Sequence, residues 1–396
     1  MSDDAALRPA ERRAGLLLAG LMSLRMLGLF LVLPVLAAYA NGLPGATPTL
    51  VGLAVGSYGL TQALLQVPFG WLSDRYGRQR LIVLGLMLFA GGSLIAAGAG
   101  DIGWLIVGRM LQGAGAVAAV ITALLSDLTR PSQRTKVMAL LGISIGAAFI
   151  AAMMLGPLLA AHVGVRGLFL LGAALGLVGL PLLLLLPRGP TTMASGPAEL
   201  LAALRQPALL RLDLGIFLLH ATLTSTFVVL PLSLQDGLNL PLASHWRLYV
   251  PVMLVSVLSM LPIIMRHGGR EERRLFPLAT GILVLSQLLL PISTFDLLGV
   301  GVTLWLFFTG FNLLEAALPA AISRAAPEAG RGAAMGAYST AQFLGAFAGG
   351  MLGGTLLGSV GSWGVFSVNA LALALWLGLS RQIPPASRTA PTGHDG

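Results

Sequence analysis

The sequence predicts an all-α membrane protein of twelve transmembrane helices, arranged as two six-helix pseudo-symmetric bundles. Three observations predict it. Of 396 residues, 56% are hydrophobic and only 10% are charged, whereas soluble domains carry about 25% charged residues. Apolar runs long enough to cross a bilayer core, about 20 residues as a helix, follow one another along the chain. The chain also echoes itself at one ungapped offset, with Phe30 and Pro34 answered by Phe227 and Pro231.

The expected spans are 14–40, 49–73, 81–99, 102–127, 136–161, 165–187, 209–235, 245–265, 275–294, 297–323, 333–358 and 360–381. Backbone groups in lipid must be paired within their own segment, so each span is read as a helix. The first follows a polar stretch holding Arg8, Arg12 and Arg13. It is too long for a signal-peptide core and lacks a clear cleavage site, so it is read as retained. The repeat continues through Gly113 and Gly310, Ser126 and Ser323, Arg134 and Arg331, Gly156 and Gly353, Gly164 and Gly361, and Phe169 and Phe366. Asp74 falls opposite Glu271. Parallel repeats of this kind are common in transporters. The expected division is 1–187 for the first bundle, 188–208 for a linker rich in Pro, Gly and Thr, and 209–396 for the second bundle and a short tail. The linker has room for a short amphipathic helix.

Charge placement sets the expected orientation. Arg75, Arg78 and Arg80 follow the second span, and Arg130, Arg134 and Lys136 follow the fourth. Arg188, Arg205 and Arg211 flank the linker. Arg266, Arg270, Arg273 and Arg274 follow the eighth span, Arg324 and Arg331 the tenth, and Arg381 and Arg388 the last. Only Arg166 and Arg247 fall on the opposite side. Basic loops stay inside, so both termini are expected in the cytoplasm, with the protein in a bacterial-type inner (plasma) membrane. The pI of about 11.1 then reflects orientation, and no nucleic-acid partner is expected. The chain has no cysteine, which excludes disulfides and thiolate metal sites.

Ionisable residues inside spans are costly and usually serve function. Glu315, in Phe311-Asn312-Leu313-Leu314-Glu315, shares a helix face with Asn312, Phe308 and Pro319. A carboxyl withdrawn from water exchanges protons nearer neutral pH than one in solvent. A neutral acid bonded between helices is the plainer alternative. His220 shares a face with Asp213, Phe217, Thr224 and Phe227, and imidazole titrates near pH 6.5. It could equally be a neutral core histidine, and one histidine makes no metal site. Arg25 lies too deep in the first span to snorkel easily. It either attracts an anionic group, holds a carboxylate ionised, or ties helices together. Arg109 and Gln112 share a face, and Gly113 and Gly115 allow close backbone approach. Tyr58, Gln62 and Gln66 in the second span, Gln112 in the fourth, Asn312 in the tenth and Tyr338 and Gln342 in the eleventh are candidate cavity groups. Interhelical polar packing is the alternative for each.

The segment Gly70-Trp71-Leu72-Ser73-Asp74-Arg75-Tyr76-Gly77-Arg78-Gln79-Arg80 packs four charges into seven residues between apolar runs. It resembles the Gly-x-x-x-Asp-Arg-x-Gly-Arg loop of the major facilitator superfamily, with Gln79 where a basic residue is common. Residues 108–115 resemble that family's Arg-x-x-Gln-Gly-x-Gly motif, which implies a role for Arg109 in proton movement or cavity electrostatics. Gly142, Gly146, Gly156 and Pro157 resemble the glycine-rich fifth helix of its antiporters. Ala152, Ala160 and Ala161 stand where glycines are common, a departure that weakens the antiport reading. Segments 23–36, 58–78, 108–120, 124–130, 311–319 and 335–345 are similar to the YajR-type branch of drug:proton antiporter-like proteins. Such proteins can carry a soluble C-terminal domain. This sequence stops about fifteen residues after its last span, so regulation through that domain is not expected. The resemblance implies a conformational latch of Gly70, Asp74, Arg75, Gly77, Arg78 and Asp127. Arg78 would pair with Asp127, and Asp74 would meet the N-terminus of the eleventh helix near Gly332 and Ala333 when the cytoplasmic side is shut. A carboxylate at such a terminus gains about 0.3–2 kcal/mol.

The expected function is a secondary transporter that expels small lipophilic or cationic molecules in exchange for protons, by alternating access. Its proton-coupling groups are Glu315, His220, Arg25 and Arg109. A symporter or facilitator on the same scaffold is the alternative. An ATP-driven pump would need a phosphate-binding Gly-Lys-Ser/Thr loop, and the one lysine, Lys136, follows a threonine. No paired carboxylates or nucleophile–base spacing suggests an enzyme. The expected partners are a small-molecule substrate, protons and the lipid bilayer, with no cofactor or metal and a monomeric unit.

Overall fold

The computed structural model describes residues 6–186, 205–267, 272–293, 296–326 and 330–381. Most of the expected linker, including its short helix, lies outside these residues, as does Glu271. Every regular element among the described residues is helical. Among the described residues, ten stretches are long and apolar enough to cross a membrane. Two of them, Arg134–Leu184 and Arg331–Ser380, are broken at Gly164 (φ 68°) and Gly361 (φ 73°). Those breaks divide them into 134–163 with 165–184 and 331–360 with 362–380, which accommodates the twelve expected crossings. A positive φ with extended ψ is glycine's territory. The two breaks stand at the repeat offset read from the sequence, with matching torsions.

The echo extends to packing. A Cβ on Gly28 would lie 3.1 Å from the Gly172 Cα. At the corresponding seam of the second half, Asn369 donates to the Ser225 hydroxyl at 2.9 Å and to Gln287 Oε1 at 2.9 Å. Glycines close the seam in one bundle, and a polar network closes it in the other.

Helix boundaries follow local chemistry. Thr47 caps the second span, Pro48–Tyr76, by accepting from the Leu50 amide at 3.3 Å. Asp101 caps the fourth (Trp104 amide, 3.0 Å) and Asp296 the tenth, Leu297–Ala325 (Gly299 amide, 2.8 Å). Side-chain acceptors at these positions satisfy amides that have no partner within the helix. The second span runs further than expected. It ends at Tyr76 and the third, Arg78–Ala97, begins two residues later. Gly77, at φ 97°, is the whole connection, so the motif's charges sit on helix ends rather than in an open loop. The first span is Pro9–Phe30 continued by Leu33–Asn41, interrupted where Pro34 supplies no amide donor. The fourth is also two helices, Ile102–Ala114 and Ala118–Asp127. The residues between them end one ladder and leave the Gly115 carbonyl available to a side chain.

The two bundles meet at the end away from the basic loops. There the second and eleventh spans cross almost backbone to backbone. A Cβ on Gly52 would strike the Gly350 carbonyl and lie 2.8 Å from the Gly354 Cα, and one on Gly56 would lie 2.9 Å from the Phe347 carbonyl oxygen. Leu33–Asn41 packs on the seventh span, Pro207–Leu238, and Leu242–Ser244 packs on Arg134–Leu184. Toward the basic end the glycines open out. A Cβ on Gly70, Gly142, Gly146 or Gly336 would meet nothing within 4 Å. The structure is therefore closed at the far end and parted at the basic end.

This placement corrects part of the glycine expectation for the fifth span. Gly156 does pack closely, its Cβ position lying 3.3 Å from the Pro34 ring and against the Leu31 carbonyl. Gly142 and Gly146 face open space in this conformation, because they lie in the half where the bundles separate. Glycines of the eleventh span serve two partners at once. Gly345, Gly349 and Gly353 meet Phe217, Ala221 and Ser225 of the seventh span, while Gly350 and Gly354 meet the second.

Candidate transport site

Three side chains from three helices converge in the second bundle. Glu315 comes from the tenth span, His220 from the seventh and Gln342 from the eleventh. The Gln342 amide donates to Glu315 Oε1 at 3.3 Å and to His220 Nε2 at 2.9 Å. His220 Nδ1 lies 3.3 Å from the Ile216 carbonyl, four residues back on its own helix. These partners assign the neutral tautomer with the proton on Nδ1. Nε2 then accepts from Gln342 and stands 3.8 Å from Glu315 Oε2. Glu315 keeps 28% of its side chain exposed while His220 keeps 7%. Part of the Glu315 side chain is thus open to a bound molecule, while its Oε2 and the imidazole behind it are buried.

An aromatic bridge lies on the far side of this carboxyl. Phe311, one turn from Glu315, meets Phe149 of the first bundle at 5.4 Å between centroids, and Phe149 meets Phe30 at 5.3 Å. Phe311 also touches the His220 ring at 5.7 Å. The Phe311–Phe149 contact joins the two bundles, and aromatic pairs of this kind add about 0.5–1.5 kcal/mol each beyond area burial. They set a floor beneath the site, so in this conformation Glu315 communicates with the basic end.

The arginines are elsewhere. Arg25 is 0% exposed. It donates to Gln62 Oε1 at 2.6 Å and to the Gly115 carbonyl at 3.0 Å, with its guanidinium 5.8 Å from the Phe89 ring. The break in the fourth span therefore creates the acceptor that Arg25 takes. Arg109 donates to Gln112 Oε1 at 2.7 Å and to the Ala54 and Val55 carbonyls, and stacks 4.5 Å over Tyr58. Gln112 passes the chain on to Ser93 at 2.7 Å. The expectation that both arginines act together with Glu315 and His220 is corrected. The hydrogen bonds they make lie inside the first bundle, where they tie the first, second, third and fourth spans. Gln62 and Gln112 belong to these ties and do not line a cavity. Asn312 turns to Ser256 at 3.4 Å within its own bundle. Gln66 is buried, and the Tyr58 ring faces Phe343 across the seam at 6.5 Å.

A prediction follows from the Arg25 tie. Arg25→Met leaves the Gln62 oxygen buried without a donor, at about 1–3 kcal/mol, while the Gly115 carbonyl keeps only the Val117 amide at 2.8 Å. The unfolding midpoint in detergent should drop by several degrees. An unchanged midpoint would show that the tie carries no stability.

The charged helix ends form a compact group. Arg78 pairs with Asp74, reaches Asp127 Oδ2 at 3.1 Å and donates to the Ser73 hydroxyl at 2.7 Å. Ser73 donates to the Gly70 carbonyl at 2.6 Å. The Arg78–Asp127 contact implied by resemblance is present, and Asp74 is engaged from within its own bundle. Arg75 lies over the Tyr76 ring at 5.6 Å. A second clamp escaped the sequence reading. Buried Glu11 accepts from the Arg130 backbone amide and Nε, each at 2.9 Å, and from the Arg8 amide at 2.8 Å. It fastens the start of the first span to the loop after the fourth. Its only sequence signal was one acid among arginines. Among the described residues, no three His, Asp or Glu side chains gather in a metal-binding group.

Two pseudo-symmetric helical bundles, with a polar site of three side chains in the second, have the architecture of a membrane transporter, and the comparisons with known proteins agree. The profile of the Major Facilitator Superfamily matches residues 18–350, and the chain belongs to that family. It is 44% identical over 325 residues to the inner membrane transport protein YajR of Escherichia coli (strain K12), covering 80% of this chain and 71% of that protein. It is 29% identical over 216 residues to the quinolone resistance protein NorA of Staphylococcus aureus (strain N315), covering 54% and 52%. Among solved structures, the nucleoside transporter NupG superposes with a TM-score of 0.73 at 15% identity, covering 93% of this chain and 98% of that one. A bacterial homolog of the human lysosomal transporter Spinster, inward-facing and occupied, gives 0.72 at 14% identity, covering 96% and 97%. At those identities the two structures speak for the fold alone.

Proposed function

We propose that the protein expels small lipophilic or cationic molecules in exchange for protons, with Glu315 as the group that substrate and proton share. The observation that carries this reading is the partly exposed Glu315 side chain held against His220 and Gln342. A cation beside Glu315 favours the carboxylate, and a proton on it removes the attraction. His220, 3.8 Å away, is the neighbouring base. Binding of the two is therefore mutually exclusive, which is the requirement for exchange. The name of one relative, quinolone resistance protein, supports drug-like cargo. The apolar and aromatic surroundings suit it.

The positive-inside rule places the basic end and both termini in the cytoplasm of a bacterial-type inner membrane. The conformation described here is then the one open to the cell interior. The halves 1–187 and 209–396 rock about the site, with 188–208 joining them. Asp74 leaves its partners within the first bundle for the eleventh helix as the cytoplasmic side shuts, and Arg78 and Asp127 hold it in register. One chain is the working unit, driven by the proton gradient with no cofactor.

Proteoliposomes loaded with a pH dye test the reading. Ethidium moving down its gradient should drive protons the opposite way. Protons travelling with ethidium would make the protein a symporter and sink the exchange reading. Ethidium flux without proton movement would make it a facilitator.

A further inference from the structure

The Gln342 side chain spends both hydrogens of one amide group on two acceptors. One goes to His220 Nε2 at 2.9 Å and the other to Glu315 Oε1 at 3.3 Å. His220 Nδ1 is committed to the Ile216 carbonyl at 3.3 Å, so the single lone pair of the ring, on Nε2, is occupied. Glu315 Oε2 faces that same nitrogen at 3.8 Å, too far for a hydrogen bond. This oxygen is buried and has no hydrogen-bond partner among the described residues. Oε1 already accepts from Gln342, so Oε2 is the oxygen left for a proton. The base it faces is a nitrogen that the amide has filled. The seventh span also carries Asp213, seven residues before His220, and the eleventh carries Tyr338 and Arg331, four and eleven before Gln342. Among the described residues, no hydrogen bond or ion pair joins any of these three to Glu315. The first bundle presents the uncharged Phe149 ring, by way of Phe311.

We infer that Gln342 is a positioning residue of this site: by filling the His220 Nε2 lone pair, it keeps the exchangeable proton on Glu315. The inference rests on the reading of Glu315 as the proton carrier. Without the amide donor, a small rotation of either side chain brings Nε2 and Oε2 within hydrogen-bond range. The Glu315 Oε2–H bond then breaks, the proton bonds to Nε2, and the pair becomes a carboxylate beside an imidazolium. A charge-assisted pair of this kind holds its proton more firmly than the acid alone. An arriving cation then meets a positive ring beside the carboxylate. A primary amide suits the task, since its two N–H groups satisfy both acceptors at once and it carries no titrating proton of its own.

Nitrogen NMR of the purified full chain, labelled at its five histidines, tests this. The signals lost in His220→Gln report His220. In the wild type they should show one N–H nitrogen and one bare nitrogen throughout the pH range in which ethidium binding releases a proton. In Gln342→Met and Gln342→Leu, both comparable in volume to glutamine, they should show two N–H nitrogens over the acid part of that range. Ethidium, competing with a firmer proton, should bind these variants about tenfold or more weakly. A packing role for Gln342 would leave the His220 nitrogens as they are. Unchanged His220 signals in both variants would overturn the inference and leave Glu315's role intact. A doubly protonated His220 in the loaded wild type, or ethidium binding to wild type without proton release, would overturn both.

Discussion

Glu315→Gln should abolish uphill transport while leaving a folded protein. The amide keeps the shape of the side chain and can still bond to Gln342, but it cannot take up or release a proton. A one-for-one exchange of a monovalent cation for a proton is electroneutral, so each pH unit across the membrane supports at most about tenfold accumulation of the cation. In vesicles with an imposed pH difference, wild type should concentrate ethidium toward that limit. The variant should reach the same concentration on both sides. The neighbouring geometry sharpens the expectation. His220 is sealed behind the carboxyl and already committed to Gln342 and the Ile216 carbonyl, so it has no free path to replace Glu315. Pumping that survives in Glu315→Gln would move the coupling away from Glu315.

The second large effect is expected at the seam of the second and eleventh spans. A side chain on Gly52 meets the Gly350 carbonyl and the Gly354 backbone, and one on Gly350 lies 2.8 Å from the Gly56 Cα. Backbone atoms cannot move aside as a side-chain end can, so overpacking here costs about 1–3 kcal/mol or more. That cost falls only on the conformation closed at the far end. Gly52→Leu should therefore lower the population of this state by about 5- to 150-fold and cut transport in proportion. The chain has no native cysteine, so a single Ala346→Cys at the seam reports directly. Its thiol should be sealed from an impermeant reagent in the parent and labelled readily once Gly52→Leu is added. Equal protection in both would show that the seam tolerates the side chain.

Much of this architecture was legible before any coordinates. Apolar runs and basic loops gave the spans, and the offset that pairs Gly164 with Gly361 reappears as two matching breaks in the helices. Glu315, His220 and Gln342 were each singled out because polar groups are rare in these runs, and they prove to be neighbours. The failures share one cause. Helical spacing shows which residues lie on one face, but not which helix that face meets. Arg25 and Arg109 looked as exposed to the cavity as Glu315 did. Only the break after Ala114, which offers Arg25 a carbonyl, shows that it turns inward. Gly142, Gly146 and Gly156 read alike in sequence, yet only Gly156 lies where the bundles touch. The Glu11–Arg130 clamp joins residues 119 positions apart, and no local pattern announces it.

The most direct measurement is proton release on binding. Ethidium is added to purified protein in weakly buffered detergent, and the pH change is recorded for wild type and Glu315→Gln. The account predicts about one proton released per ethidium bound by the wild type near neutral pH, and none by the variant. Equal release from both proteins, or binding to wild type with no release at all, would contradict it.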